Sequence, residues 1–207
     1  MGAPFRALVE AVARTLGEKH GQPPLDADEA AQLIPKHIAV QEALDEWEQA
    51  NIQRAVEWLG RQRNPEVLTI AFCLALHKRM FDRTWRWAGK FRQSDKNIGC
   101  EWTQVPTRLQ QLLDNTAYQL ANKVLPIDEA TARFHHQLVF IHPFANGNGR
   151  HARLMTDCLR RHKGVTAFTW GRGANLAELG DFRRRYIDAL RAADRGDIRP
   201  LMTFATS

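Results

Sequence analysis

Apolar residues recur at three- and four-residue spacing along most of this 207-residue chain, which predicts amphipathic helices separated by short polar or proline-marked breaks. Phe5, Leu8, Val9, Val12, Ala13 and Leu16 mark a first helix before Gly17. Gln22-Pro23-Pro24 interrupts the pattern, and Asp26 can then cap a short helix over Ala27 to Leu33, ended near Pro35. Leu44, Trp47, Ile52, Val56 and Leu59 predict a long helix from Gln41 to Arg63. Asn64-Pro65, a cap residue followed by proline at the first helical position, predicts the start of the next, which runs through His77. Pro106 opens another, with Leu109, Leu112, Leu113, Ala117, Leu120 and Val124 as its buried stripe. Ile127 to Ile141, capped near Asp128, and His151 to Lys163, stopped by Gly164 at a left-handed position, flank a short loop. Asn175 to Ala193 and Ile198 to Phe204 complete the helices.

The stretch from Trp87 to Trp102 departs from the pattern. It carries Gly89, Gly99 and a polar Gln93-Ser94-Asp95-Lys96-Asn97 centre with no helical period, and it predicts a β-hairpin. The expected fold class is therefore all-α with one small hairpin, without repeats or low-complexity tracts.

Composition narrows the class without naming a function. Hydrophobic residues make up 44% and charged residues 25%, as in ordinary globular proteins. No apolar run approaches the ~18 residues of a membrane span, and Glu10, Arg14 and Glu18 interrupt any signal-peptide core, so a cytoplasmic protein away from membranes is expected. Three widely spaced cysteines, Cys73, Cys100 and Cys158, argue for reduced thiols and against a Cys-rich zinc site. The net charge of +6 hides a division: residues 1–52 hold four basic against nine acidic residues, net −5, and the remainder is +11. We expect one compact domain, with 1–52 as an acidic helical arm able to regulate and 53–207 as the core; the charge division fits either an arm folded over a basic cleft or simply two differently charged solvated surfaces. The basic run Arg160-Arg161-His162-Lys163 ends a helix and complements its dipole, so direct nucleic-acid binding is not indicated. His135 and His136 are adjacent and cannot share a helix face, which speaks against a metal site there.

The loop between the two flanking helices carries the chemistry: His142-Pro143-Phe144-Ala145-Asn146-Gly147-Asn148-Gly149-Arg150-His151-Ala152-Arg153. Gly147 and Gly149 permit positive φ and close approach of the backbone to a ligand, and the N–H groups opening the following helix favour an anion. Arg150 and Arg153, three apart, can grip phosphate oxygens from one face. His142, with an ordinary pKa near ~6.5, suits proton removal from a hydroxyl. Phe144 is expected to bury its ring and anchor the loop.

This segment resembles the signature of the Fic (Fic/Doc) family, His-Pro-Phe-x-Asp/Glu-Gly-Asn-Gly-Arg-x-x-Arg, and matches it everywhere except at Asn146. Met80 to Arg92, with Trp87-Ala88-Gly89-Lys90-Phe91-Arg92, resembles the family's upstream Trp-Ala-Gly-x-x-Arg segment leading into a flap. Pro35-Lys36-His37-Ile38 and Glu46 to Ile52 are similar to the subgroup called mobile mystery protein B. The resemblance implies the Fic fold, a helical bundle around the motif loop with a β-hairpin flap. It implies a protein adenylyltransferase moving AMP from ATP to a Ser, Thr or Tyr hydroxyl of a target protein, toxin-like and held quiet by its own N-terminus. His142 would be the base. Gly147, Asn148, Gly149 and Arg150 would hold the phosphates, Asn148 and Arg150 stabilising developing charge, while Arg153 would take the γ-phosphate. Asn146 would contact Mg²⁺, or Mn²⁺, more weakly than a carboxylate. Lys96, Asn97, Ile98 and Gly99 would dock the target's backbone. Many family members carry an inhibitory Ser/Thr-x-x-x-Glu-Gly/Asn helix whose Glu pairs with the second motif arginine. That motif is not matched here, and Glu42 and Glu46 stand as the inhibitory candidates. The donor could also be UMP, phosphocholine or phosphate, or the chain a nucleotide-binding module without catalysis. Target, base preference, oligomeric state and any partner antitoxin stay open.

Overall fold

The computed structural model describes residues 27–35, 41–171 and 179–207. The helix expected over 3–16, the cap at Asp26 and residues 175–178 fall outside them. The described helices are α1 (Ala27–Ala30), α2 (Gln41–Arg61), α3 (Ile70–Phe81), α4 (Val105–Ala121), α5 (Ile127–Ile141), α6 (Asn148–His162), α7 (Leu179–Asp194) and α8 (Arg199–Thr206). The all-α class holds, but several boundaries move. Helix α1 is one turn rather than two. Helix α3 begins at Ile70, not Pro65, because Thr69 is the better cap: its Oγ1 accepts the Phe72 N–H at 3.1 Å. Helix α5 is capped by Pro126, not Asp128; the Asp128 carboxylate instead pairs with Arg160, 2.7 Å away. That pair makes Arg160 a buried bridge, donating also to Thr166 O and Thr131 Oγ1, more than a dipole-facing cation.

Two apolar clusters meet at α5. The larger joins Ile52, Val56, Leu76, Met80, Phe81, Leu109, Leu113, Leu138, Met155 and Leu159 from α2 to α6. The smaller joins Ala132 of α5 to Trp170, Tyr186, Leu201 and Phe204, so α7 and α8 form a separate pad against α5. Both shed apolar area from water at roughly 25 cal/mol per Å². Ile52, Ala55 and Val56 are fully buried within α2, so the division expected at residue 52 lies inside a continuous core helix.

The expected hairpin is absent among the described residues, whose one β-bridge joins Leu33 to Trp85. Residues 92–101 instead wrap around the buried Arg92 guanidinium. It donates to His142 O and Ser94 O, each at 2.7 Å, and to Cys100 O. Two of the segment's own carbonyls, Ser94 O and Cys100 O, are satisfied by one side chain in place of a strand partner, and the flap becomes an irregular loop. Gly99 has φ +103°, and a Cβ there would lie 2.7 Å from the His142 Cβ, so only glycine lets the loop close this near the motif.

Candidate functional site

The motif loop is positioned from both ends. At one end α5 stops at His142, which adopts the left-handed conformation (φ 53°, ψ 60°) and so turns the chain sharply out of the helix. At the other end Gly147 (φ 78°) precedes α6, where a Cβ would sit 2.5 Å from Phe81 Cζ. Gly149 differs from the expectation of positive φ. It lies in the first turn of α6, and a Cβ there would meet nothing within 4 Å, so its value is open space. No side chain caps α6, so its first-turn N–H groups retain their capacity for an anion.

Inside the loop the polar groups hold one another. Asn148 Oδ1 accepts the Phe144 N–H at 2.9 Å and its Nδ2 donates to Phe144 O at 2.8 Å. Its amide therefore chiefly clamps the loop, leaving one Nδ2 hydrogen for a phosphate oxygen. Phe144 is fully buried, and its ring stacks on His77 with centroids 3.6 Å apart. Because His77 Nδ1 accepts the Gly89 N–H (2.9 Å), its Nε2 carries the hydrogen and donates to Asn146 O (3.1 Å). This fully buried imidazole ties the Trp-Ala-Gly turn to the motif, and burial pushes its pKa well below the usual histidine range. A lone helical histidine offers no sequence signal for that role.

His142 lines a cavity of about 670 Å³ together with Asn97, Ile98, Gly99, Asn146, Arg150 and Arg153. Burial, then the Arg92 charge, lowers its pKa from 6.5 to about 4, below the value expected from the free side chain, so the ring is neutral at pH 7. The Val139 carbonyl lies close enough to the ring to oppose that lowering, and neither ring nitrogen is engaged by another side chain among the described residues. Arg150 also faces this cavity. Its NH1 pairs with Glu48 Oε2 at 2.7 Å and its guanidinium lies 5.0 Å from the Phe81 ring centroid, while Nε and NH2 are buried without partners. Unmatched buried donors are costly in an empty protein and mark where an anion would sit. Arg153 is buried with its guanidinium 4.3 Å over the Tyr186 ring.

The expected flap residues divide. Asn97, Ile98 and Gly99 line the cavity, whereas Lys96 turns inward and pairs with Glu29 of α1 at 2.5 Å. Of the expected inhibitory candidates, Glu46 is not the acid found at the motif. Glu46 is exposed, and the Glu42 side chain lies outside the described residues. Glu48, two residues beyond Glu46, is the buried acid that reaches Arg150, and its Oε1 also accepts from Trp85 Nε1 at 2.7 Å. Helical phase explains the substitution: Asn51, Ile52, Ala55 and Leu59 define the inward face of α2, and Glu48 shares it through its i+3 and i+4 neighbours Asn51 and Ile52. Sequence reading also passed over the α7 wall of the cavity, Arg183, Tyr186, Ile187, Leu190 and Asp194. His136, beside that wall, has Nε2 2.8 Å from Asp194 Oδ1.

As to metal, no group of three or more His, Cys, Asp or Glu side chains that could hold an ion occurs among the described residues. Asn146 Oδ1 accepts the Gly147 N–H at 2.5 Å and keeps a second lone pair. One amide oxygen fits a hard dication whose other ligands are phosphate oxygens and water, not a resident metal cage. Among the described residues no helix is long and apolar enough to cross a membrane.

The chain resembles known proteins in sequence and in fold. It is 30% identical over 144 residues to protein adenylyltransferase Fic of Aedes aegypti, covering 67% of this chain and 27% of the relative. The protein adenylyltransferase Fic of Nematostella vectensis is 29% identical over 143 residues, covering 67% and 32%. The chain thus spans about a third or less of the length of these relatives. Among solved structures, BepC of Bartonella tribocorum, crystallised with AMPPNP, superposes with a TM-score of 0.65 at 20% identity, covering 83% of this chain and 89% of BepC. The N-terminal Fic domain of an effector from Bartonella sp. AR 15-3 superposes with a TM-score of 0.68 at 16% identity, covering 91% and 93%. Residues 67–159, which hold the Trp-Ala-Gly turn, the flap and the whole motif loop, match the Fic/DOC family, so this part of the chain is a Fic/DOC-family domain.

Proposed function

We propose that this protein is an adenylyltransferase that moves AMP from ATP to a hydroxyl of a target protein. One observation carries the reading: His142, Arg150 with its unpartnered Nε and NH2, and the uncapped N-terminus of α6 all line one cavity. A neutral acceptor beside an anion cradle is what hydroxyl attack on a nucleotide phosphate needs. The relatives' names support the choice of donor and acceptor.

In this mechanism His142 takes the proton of a Ser, Thr or Tyr hydroxyl as its oxygen bonds to the α-phosphorus. The bridging bond to the β-phosphate breaks, and pyrophosphate leaves with the electron pair. A ring with a pKa of about 4 is a weak base at rest. The triphosphate's negative charge raises that pKa when it binds, so basicity rises with substrate in place. Arg150 and the α6 amides hold the phosphates, and Arg153 takes the γ-phosphate. Asn146 would be the protein's contact for Mg²⁺ or Mn²⁺, which when bound would neutralise phosphate charge. Asn97, Ile98 and Gly99 align the target segment at the cavity mouth. Control by the acidic arm passes through Glu48, which occupies one nitrogen of Arg150.

ATP labelled on the α-phosphate and, separately, on the γ-phosphate tests this directly in a cell lysate and by self-labelling. Label transferred to protein only from the α position, and lost in His142→Ala with ATP binding retained, is the expected result. Label from γ alone would replace the reading with phosphoryl transfer. Tight ATP binding with neither label transferred would favour a nucleotide-binding module, the alternative that Asn146 supports.

A further inference from the structure

Tyr186 lies in α7, outside residues 67–159, yet its ring lies beneath the guanidinium of Arg153, whose Cζ is 4.3 Å from the ring centroid. Both residues are buried and both line the cavity. The ring is itself pinned. Its hydroxyl lies 2.9 Å from Nε2 of His135, a fully buried imidazole whose pKa burial lowers to about 3. His135 in turn packs against Trp170, centroids 4.4 Å apart, and the Trp170 Nε1–H donates to both oxygens of Asp157 at 3.0 Å. Phe204 of α8 also packs against Tyr186, with ring centroids 5.3 Å apart. The ring therefore has little freedom to move when Arg153 takes a load.

A guanidinium held over an aromatic face is fixed in position, while its N–H donors stay in their own plane and out of competition with the ring. Fixing it beforehand removes the entropy cost of ordering a long side chain when a phosphate arrives. We propose that Tyr186 is a positioning residue: its ring is a shelf that orients Arg153 for the terminal phosphate of a nucleoside triphosphate, and α7 with α8 thereby completes the phosphate site. This rests on the assignment of Arg153 to the γ-phosphate above. A ring that only fills the core would stabilise the fold without discriminating between ATP and ADP.

The test is nucleotide affinity of the full chain for ATP, ADP and AMP by calorimetry, in the parent, Tyr186→Phe, Tyr186→Met and a form with pentafluorophenylalanine at position 186. The fluorinated ring keeps the shape and reverses the face charge, so it remains informative where methionine fails to fold. The parent is expected to prefer ATP to ADP. That preference should fall roughly three- to thirtyfold in the Met and fluorinated forms and persist in the Phe form, with AMP affinity unchanged throughout. An unchanged preference in the fluorinated form, an equal fall in the Phe form, or a parent that binds ATP and ADP alike would overturn the shelf while leaving AMP transfer standing. A parent that binds no ATP would sink both.

Discussion

Glu48→Gln separates the structural part of the Arg150 pair from its ligand part. Glutamine keeps an oxygen for Trp85 Nε1 but removes the charge facing Arg150 NH1 and presents a donor to a donor. Breaking a buried pair by removing one partner costs ~3–5 kcal/mol. The Arg150 side chain is 13% exposed and faces the cavity, so water reaches it and the lower end applies, about 3 kcal/mol. For a chain of this size that is a fall in Tm of about 6–12 °C. Glu48→Ala also strands the Trp85 donor and should lose a further ~1–3 kcal/mol. Saturating ATP supplies phosphate oxygens to the released guanidinium, so the ATP-induced rise in Tm should be larger in Glu48→Gln than in the parent, narrowing the gap. Self-labelling per folded molecule should rise, since NH1 no longer has a competing carboxylate. Differential scanning calorimetry with and without ATP reads both effects. A variant as stable as the parent would refute the energetic argument, and equal ATP shifts would refute the placement of Arg150 on the phosphates.

Three further outcomes follow from the geometry. His135, His142 and His151 are held neutral by burial, with pKa lowered from 6.5 to about 3, 4 and 4, so the unfolded chain binds protons that the native one refuses and stability falls as pH drops from 6.5 toward 4. Each contributes up to ~2 kcal/mol between pH 6.5 and 5, and a urea midpoint that stays flat over that range would contradict this. Gly147→Ala forces a Cβ into Phe81 at positive φ and should lose about 3 kcal/mol or more together with ATP binding. Gly149→Ala, facing open space in a helix, should gain up to about 0.5 kcal/mol in the free protein while weakening ATP, and thermal melts with and without ATP distinguish the two. Asn146→Asp should lower the Mg²⁺ concentration at half-maximal ATP binding, and an unchanged Mg²⁺ titration would remove Asn146 from the metal's contacts.

Periodicity alone located the long helices of the core, because a 3.6-residue pattern sorts apolar from polar faces wherever a helix packs on one side; α4, α5 and α6 are legible that way in Leu109, Leu138 and Leu154. The twelve-residue loop likewise declared a base, a glycine-lined turn and two arginines, since those residue types have few joint uses. The sequence could not disclose which partners those groups would meet. Arg92 turned an expected hairpin into a loop by collecting carbonyls from three separate residues, and Glu48 rather than the exposed Glu46 reached Arg150 because the phase of α2 decides which acid faces inward. Tyr186 came beneath Arg153 only because α7 and α8 pack back against α5, thirty-three residues beyond it in the chain. Burial then lowered the His142 pKa, an effect of surroundings that a side chain's own chemistry does not contain. Local pattern encodes what each residue can do; distance, burial and helix phase, which are properties of the packed chain, decide what it does.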